Sequence, residues 1–355
     1  MKNFIRIIVW TLVALTIQQS IFLYIENVYL DTDVQIKAEK VEEKEDSKSD
    51  NANCINLKDG VDKVSVSSDG RFVAYLDNDK LKILDSNNNT ENEFKSEDEG
   101  QVVFFKWLTN ENNMIVIQKI KNNGQSYYQP VSYNAKKCEA RQLADYNLNE
   151  LRIPIEDEND KIENVVFSTA SSTLYIKIKK DNGLNDLYYT NIMNQLSRVR
   201  HNKEIGNIVV PTTNTNPVME MGNCITILNS SDNISIPNAE ITKILGTDIN
   251  DNVYFGSQVD GKITKIYYTT LGDKNLKWNS VNLQKPVSEE DIMIDYSGKV
   301  YVNDSSNSTV TEIMGNSSIK YEGAVIQPYS KGVITKVGSK LIKNEVEDKR
   351  ILINK

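Results

Sequence analysis

One histidine, three cysteines, three tryptophans and seven prolines are few for 355 residues. A single histidine excludes nearly every His-based metal site and leaves one imidazole as a general base. Three widely spaced cysteines, Cys54, Cys138 and Cys224, form neither a disulfide framework nor a zinc pattern. They read as three buried or half-buried thiols, and the sequence does not choose a pair. Seven prolines and 16 glycines exclude collagen-like and proline-rich chains. Basic excess is missing too: the net charge is −8, which argues against a nucleic-acid partner. With 39% hydrophobic residues the chain can bury a sizeable core. Its length allows two domains or one large all-β domain. The abundance of Asn, Lys and Ile is the bias of an AT-rich, bacterial genome.

Long apolar runs are absent except at the start. Ile7–Ile25 (IIVWTLVALTIQQSIFLYI) carries no charge and follows Lys2 and Arg6. Nineteen residues of helix span about 28 Å, against a hydrocarbon core of about 30 Å. A cleaved signal peptide has an apolar region of about 7–15 residues and a small-x-small site, neither of which fits. The run therefore reads as an uncleaved anchor over 7–25 rather than a cleaved signal or a buried soluble helix. Residues 1–6 are then cytoplasmic, and the positive-inside rule sends the rest outside the cell membrane. Residues 26–53 are acidic and free of large apolar clusters, so a solvated tether is expected.

From residue 54 to 355, short Val/Ile/Tyr/Phe/Thr runs alternate with Asn/Asp/Gly/Ser turns, the pattern of an all-β domain. Leu143–Leu151 is the one stretch with room for a short helix. A turn followed by a strand recurs: Ser67-Ser68-Asp69-Gly70-Arg71-Phe72-Val73-Ala74-Tyr75, then copies before Met114, Leu174, Val218, Val253, Val300 and Val333. The anchors lie 42, 60, 44, 35, 47 and 33 residues apart, and the long interval contains an acidic insertion, Ala144–Lys161. Asn123-Gly124, Asn182-Gly183 and Asp260-Gly261 are hairpin turns of the kind that use positive φ. Each precedes a strand with a tyrosine pair: Tyr127-Tyr128, Tyr188-Tyr189 and Tyr267-Tyr268. Adjacent strand residues point to opposite faces, so one Tyr of each pair is expected between blades and the other toward another surface or solvent.

These repeats resemble those of TolB-like and WD40-like β-propellers, with Ser67, Asp69 and Gly70 in the signature positions. The Asp295 copy is closer to NHL-type blades. The resemblance implies a β-propeller of about seven four-stranded blades, with six or eight left open, and a β-sandwich pair as the competing architecture. Cys54-Ile55-Asn56-Leu57 has no inner strand of its own and is expected to close the ring near Ile351-Leu352-Ile353. The resemblance is silent on activity, because propellers host many functions.

Chemistry is hard to place. His201 lies in the basic run Arg198-Val199-Arg200-His201-Asn202-Lys203, expected to be an exposed loop that disfavours a protonated imidazole, and no G-x-S-x-G elbow is present. Asp69 and Asp295 sit in turns, where they are expected to bond their own backbone. Asp248–Asn252 and Asp77-Asn78-Asp79 cluster oxygen donors without completing a calcium loop. Glu156–Asp160 reads as a solvated charge run. The expected sets of catalytic, cofactor-binding and metal-ligating residues are therefore empty. The sequence points to a non-enzymatic binding or scaffolding module at the cell envelope, with a protein or a cell-wall glycan or peptide at a propeller face. An envelope sensor acting through a membrane partner and a carboxylate-dependent hydrolase are the alternatives.

Overall fold

The computed structural model describes residues 2–25 and 53–346, except 110–111, 123, 169–170, 214–215, 231–232, 238 and 273–275. The first element is a helix, α1 (Lys2–Ile25). Among the described residues no helix is long and apolar enough to cross a membrane. Gln18, Gln19 and Ser20 dilute the apolar run, and the Ser20 hydroxyl donates back to Thr16 O at 2.9 Å. The expected tether, 26–53, lies outside the described residues apart from Asn53.

Among the described residues twenty-nine strands follow, in seven sheets. Blade 1 contains β2 (Asp62–Val66), β3 (Phe72–Asp77), β4 (Lys80–Asp85) and β5 (Thr90–Glu93), after the short β1 (Cys54–Asn56). Blade 2 contains β6 (Gln101–Trp107), β7 (Asn113–Asn122), β8 (Gln125–Asn134), β9 (Glu139–Gln142) and β10 (Ile153–Pro154). Blade 3 contains β11 (Lys161–Ser168), β12 (Thr173–Lys179), β13 (Asn185–Thr190) and β14 (Leu196–Lys203). Blade 4 contains β15 (Ile205–Val209), β16 (Val218–Met221), β17 (Cys224–Ile227) and β18 (Asn233–Ile234). Blade 5 contains β19 (Ile241–Thr247), β20 (Asn252–Val259), β21 (Lys262–Thr270) and β22 (Asn279–Val287). Blade 6 contains β23 (Ile292–Ile294), β24 (Val300–Asp304), β25 (Thr309–Glu312) and β26 (Ser317–Lys320). Blade 7 contains β27 (Ala324–Tyr329), β28 (Gly332–Val337) and β29 (Lys340–Glu345), and β1 pairs with β29.

This is a seven-bladed β-propeller, and all seven sequence anchors fall on the second strand of a blade. The core is divided accordingly. Seven apolar clusters lie one at each blade junction, as where Ile115 and Ile117 of blade 2 meet Val165, Leu174 and Ile176 of blade 3. Burial on both faces explains why the second strands read as near-continuous apolar runs rather than alternating ones. The tyrosine pairs meet the expectation of one ring between blades and the other toward another surface. Tyr127 and Tyr128 are both buried; Tyr188 and Tyr267 are buried, with Tyr189 and Tyr268 half-buried. Each sheet face meets another blade, so the second ring of each pair is at least half covered.

Closure occurs as an extra outer strand on blade 7, with Cys54 opposite Ile342 and Asn56 opposite Lys340. The partner is β29, and Ile351–Ile353 lie outside the described residues. Ile55, Leu57 and Val61 are buried by this closure against Val73, Ile334 and Leu341. The edges of blades 1 and 7 are bridged by Gln327, which accepts from Val66 N (2.9 Å) and donates to Val66 O (2.7 Å).

Turn chemistry follows expectation at Asp260 and Gly261, with φ of 51° and 76°. At the second hairpin only Gly183 takes positive φ (81°), and its N–H closes the turn on Lys180 O at 3.0 Å. Asn78 and Asp79 (φ 50° and 63°) make a glycine-free hairpin between β3 and β4. That geometry makes the Asp77–Asp79 cluster a turn. Leu143–Leu151 holds no helix; Asp145 closes a tight turn there, accepting from Asn147 N (2.9 Å) and Asn149 N (2.8 Å). Blade 2 departs from four strands because β8 is ten residues long: its two ends pair separately with β9 and with β10 from the insertion.

Candidate functional site

Each blade leaves one edge of its innermost strand unpaired. Six of the seven inner strands, all but β23, also carry a register shift against the second strand. Such bulges re-aim side chains. Exposed edge groups need hydrogen-bond partners, and several side chains supply them across blade junctions. Trp107 Nε1 donates to Ser65 O at 3.2 Å, and Lys177 Nζ donates to Ile205 O at 2.9 Å. Glu220 accepts from Asn207 N (3.1 Å) and Ile244 N (2.6 Å), while Asn207 Nδ2 donates to Ile244 O (3.0 Å). A Cβ at position 206 would lie 2.2 Å from Glu220 Oε2, so the approach of Glu220 requires Gly206. Glu289, which accepts from Asn207, has its pKa raised by burial.

Within this inner wall, blades 2 to 5 line an open cavity of about 380 Å³. Its walls include Leu108, Phe167, Ile208, Val210 and Leu245, and its cationic group is Lys106. Lys106 Nζ donates to Asn164 Oδ1 (3.0 Å) and Val165 O (2.9 Å), both neutral acceptors on blade 3. Lys106 as a residue is exposed to the cavity, and its ammonium is partly desolvated where it meets blade 3. That desolvation brings its pKa down to about 8. Among the described residues it has no carboxylate within 4 Å.

The outer side of blade 3 gathers the residues that the sequence had presented as two unrelated charge runs. His201 lies on strand β14, not in a loop, with Nδ1 3.0 Å from Asp186 Oδ1. A buried carboxylate thus faces the imidazole that the basic run was expected to isolate. Arg198 Nη1 bridges Glu156 (2.7 Å) and Asp186 (3.2 Å), and Asn202 N donates to Asp186 at 2.8 Å. Lys180 Nζ bonds Asp160 (2.6 Å) and Glu156 (2.9 Å). Burial pulls the Lys180 pKa down, but these two carboxylates outweigh it and raise it. The run Glu156–Asp160 is exposed over 156–159, as expected of a solvated charge run, and only Asp160, 4% exposed, is buried in its pair with Lys180. Glu156, Asp186 and His201 present ligand atoms within 4.8 Å of one another. Arg198 already occupies the space between the two carboxylates, so the trio is a neutralised cluster.

Turn carboxylates behave as expected of them. Asp69 Oδ1 accepts from Ser67 Oγ (2.6 Å) and Arg71 N (3.0 Å). Asp248 and Asp295 each hold a turn and accept from a tyrosine six residues on: Tyr254 at 2.9 Å and Tyr301 at 3.4 Å. Asp248 also accepts from Asn250 N (2.9 Å) and Asn252 N (3.0 Å), which uses the donor cluster in closing its own loop. The cysteines are all free thiols, and two differ from expectation: Cys138 and Cys224 are exposed, because both begin or precede outer strands.

Within the described propeller the four most exposed large apolar side chains lie on two loops of blades 2 and 3. Tyr146 and Leu148 are 71% and 85% exposed in the Asp145 turn. Ile192 and Met193 are 69% and 58% exposed in the β13–β14 turn. Asn191 Oδ1 fixes that turn by accepting from Met193 N and Gln195 N, both at 3.0 Å. Asn194 Nδ2 then donates to Ala144 O at 2.8 Å and ties the two loops together. Leu148 holds a φ of 64°, which is strained for a bulky residue. None of these four residues was singled out by sequence; two Asn/Asp-flanked turns with large apolar tips were the available signal.

No family model and no curated protein matches the sequence. Solved structures with a similar arrangement include Kluyveromyces lactis Hsv2p, at 10% identity and a TM-score of 0.46, covering 78% of this chain and 89% of that one. The WD40 domain of SCAP from fission yeast is similar at 9% identity and a TM-score of 0.41, covering 79% and 84%. Dihydro-heme d1 dehydrogenase NirN in complex with DHE is similar at 10% identity and a TM-score of 0.42, covering 80% and 66%. Likeness at these identities extends to the fold alone, a β-propeller.

Proposed function

We propose that this chain is a non-catalytic binding module that recruits a protein partner through the joined loops of blades 2 and 3. The observation that carries the reading is the exposure of Tyr146, Leu148, Ile192 and Met193 on loops held rigid by Asp145, Asn191 and Asn194. Ordered apolar side chains in solvent, one of them on a strained backbone, serve neither folding nor solubility. Pre-ordered contacts lower the entropic cost of association. The same reading puts the module outside the cytoplasm, attached to the cell membrane through residues 7–25. The uncharged run and the exposed Trp10, Leu15, Ile17 and Phe22 of α1 support attachment, and Gln18–Ser20 weigh against it.

Crosslinking and pull-down of the full-length protein from its own membrane tests both parts. Leu148→Asp with Ile192→Asp is expected to abolish recovery of the partner while leaving the circular dichroism unchanged. Undiminished recovery would remove the loops from the interface. Release of the intact chain by carbonate washing would remove the membrane anchor.

A further inference from the structure

The cavity between blades 2 and 5 has the makings of a second, independent site. Its surface is about equally polar and apolar, the apolar part coming from aliphatic side chains and Phe167, and its one described cation is directed at neutral acceptors. An ammonium has three N–H donors. Lys106 uses two of them on Asn164 and Val165, and the third remains for a ligand. Two carboxylates of the inner wall are engaged by other groups. Glu220 is bonded by Asn207, Ile244 and Lys243, and Glu289 by Asn207.

We propose that this cavity binds a small organic monocarboxylate, its carboxylate on Lys106 and its apolar body against Phe167, Ile208, Val210 and Leu245. The volume of about 380 Å³ falls in the usual range of small-molecule pockets and admits benzoate, the smallest probe of this class, with room to spare. A single negative charge matches a single lysine. A phosphate would bring more charge than one ammonium offsets, into a chain whose net charge is already −8. The site requires no partner protein and stands or falls separately from the loop surface.

Equilibrium dialysis of the full-length protein with radiolabelled benzoate, and with benzyl alcohol as the neutral counterpart, tests the assignment. Saturable binding of one benzoate per chain is expected, at least tenfold tighter than benzyl alcohol. Lys106→Met should weaken benzoate at least tenfold and leave benzyl alcohol unchanged. Lys106→Gln, which keeps a donor for Val165 O, should lose benzoate in the same way and guards against misfolding of the Met variant. No saturable binding, equal binding of acid and alcohol, or retention of benzoate by both variants would each overturn the site. So would inorganic phosphate competing as well as unlabelled benzoate, because the chemistry would then not be that of an apolar acid.

Discussion

Blade 3 meets cations at both of its edges, and the two edges treat them in opposite ways. On the outer side, Lys180, Arg198 and His201 converge on Asp160, Glu156 and Asp186, and each buried charge has a counter-charge within 3.2 Å. On the inner side, Lys106 faces an amide and a carbonyl, with its charge uncompensated. The first arrangement is what packing a charged segment against a sheet demands. The second returns two hydrogen bonds to neutral acceptors but no ion pair to offset the desolvation of the ammonium. Proximity of titratable groups is therefore a poor guide to function here. The crowded cluster is saturated, and the solitary lysine has capacity left.

The largest effect should come from breaking the saturated side. Asp160→Ala would leave Lys180, whose side chain is 11% exposed, with only the more exposed Glu156 as counter-charge. Losing one member of a buried pair costs about 3–5 kcal/mol, and the remaining carboxylate should keep this case near about 3. Urea unfolding of the two proteins reads the difference directly. A shift below about 1 kcal/mol would mean that the outer cluster is no more than surface pairing.

A smaller effect of opposite sign is expected at the inner edge. The folded state holds Lys106 near a pKa of about 8, below its ordinary 10.5. Between those values the unfolded chain binds a proton that the folded chain does not. Its penalty on folding is fully present below about 8 and is relieved as pH rises toward 10.5. The stability difference between wild type and Lys106→Met should therefore change across pH 8–10.5, the variant being the more stable at pH 7. Parallel pH profiles, or a variant less stable at pH 7, would mean that Lys106 is a structural strut.

Much of this architecture was readable before any coordinates. A propeller second strand is buried on both faces and entered by a tight turn, so Phe72, Val253 and Val300 carry their context in adjacent residues. What escaped is non-local. The closing partner of Cys54–Asn56 is about 285 residues away, and Ile351–Ile353 was locally as good a strand as Lys340–Glu345. The ion pairs of blade 3 join residues 12 to 42 apart, so Glu156–Asp160 and Arg198–Lys203 each read as a lone charge run. Lys106, between Phe105 and Trp107, looked like one more strand residue. Its significance depends on a register shift in β6 and on the acceptors of another blade.

His201 offers the smallest effect and the cleanest contrast. It is half exposed, at 50%, and Asp186 keeps Arg198 and Asn202 N when the imidazole is removed. Exposed pairs contribute about 0.2–1 kcal/mol, so His201→Ala should shift the urea midpoint by no more than that. A zinc ion would have to displace Arg198 from between Glu156 and Asp186, giving up two charge-assisted bonds of 2.7 and 3.2 Å. Added ZnCl₂ is therefore expected to leave the melting temperature of the wild type and of His201→Ala alike, and His201→Ala should recover the same partner from membranes. A zinc-dependent rise in melting temperature that His201→Ala abolishes would reverse the comparison. The outer cluster would then be a metal site held in reserve by Arg198, and counter-charge within 3.2 Å would no longer mark a group as structural.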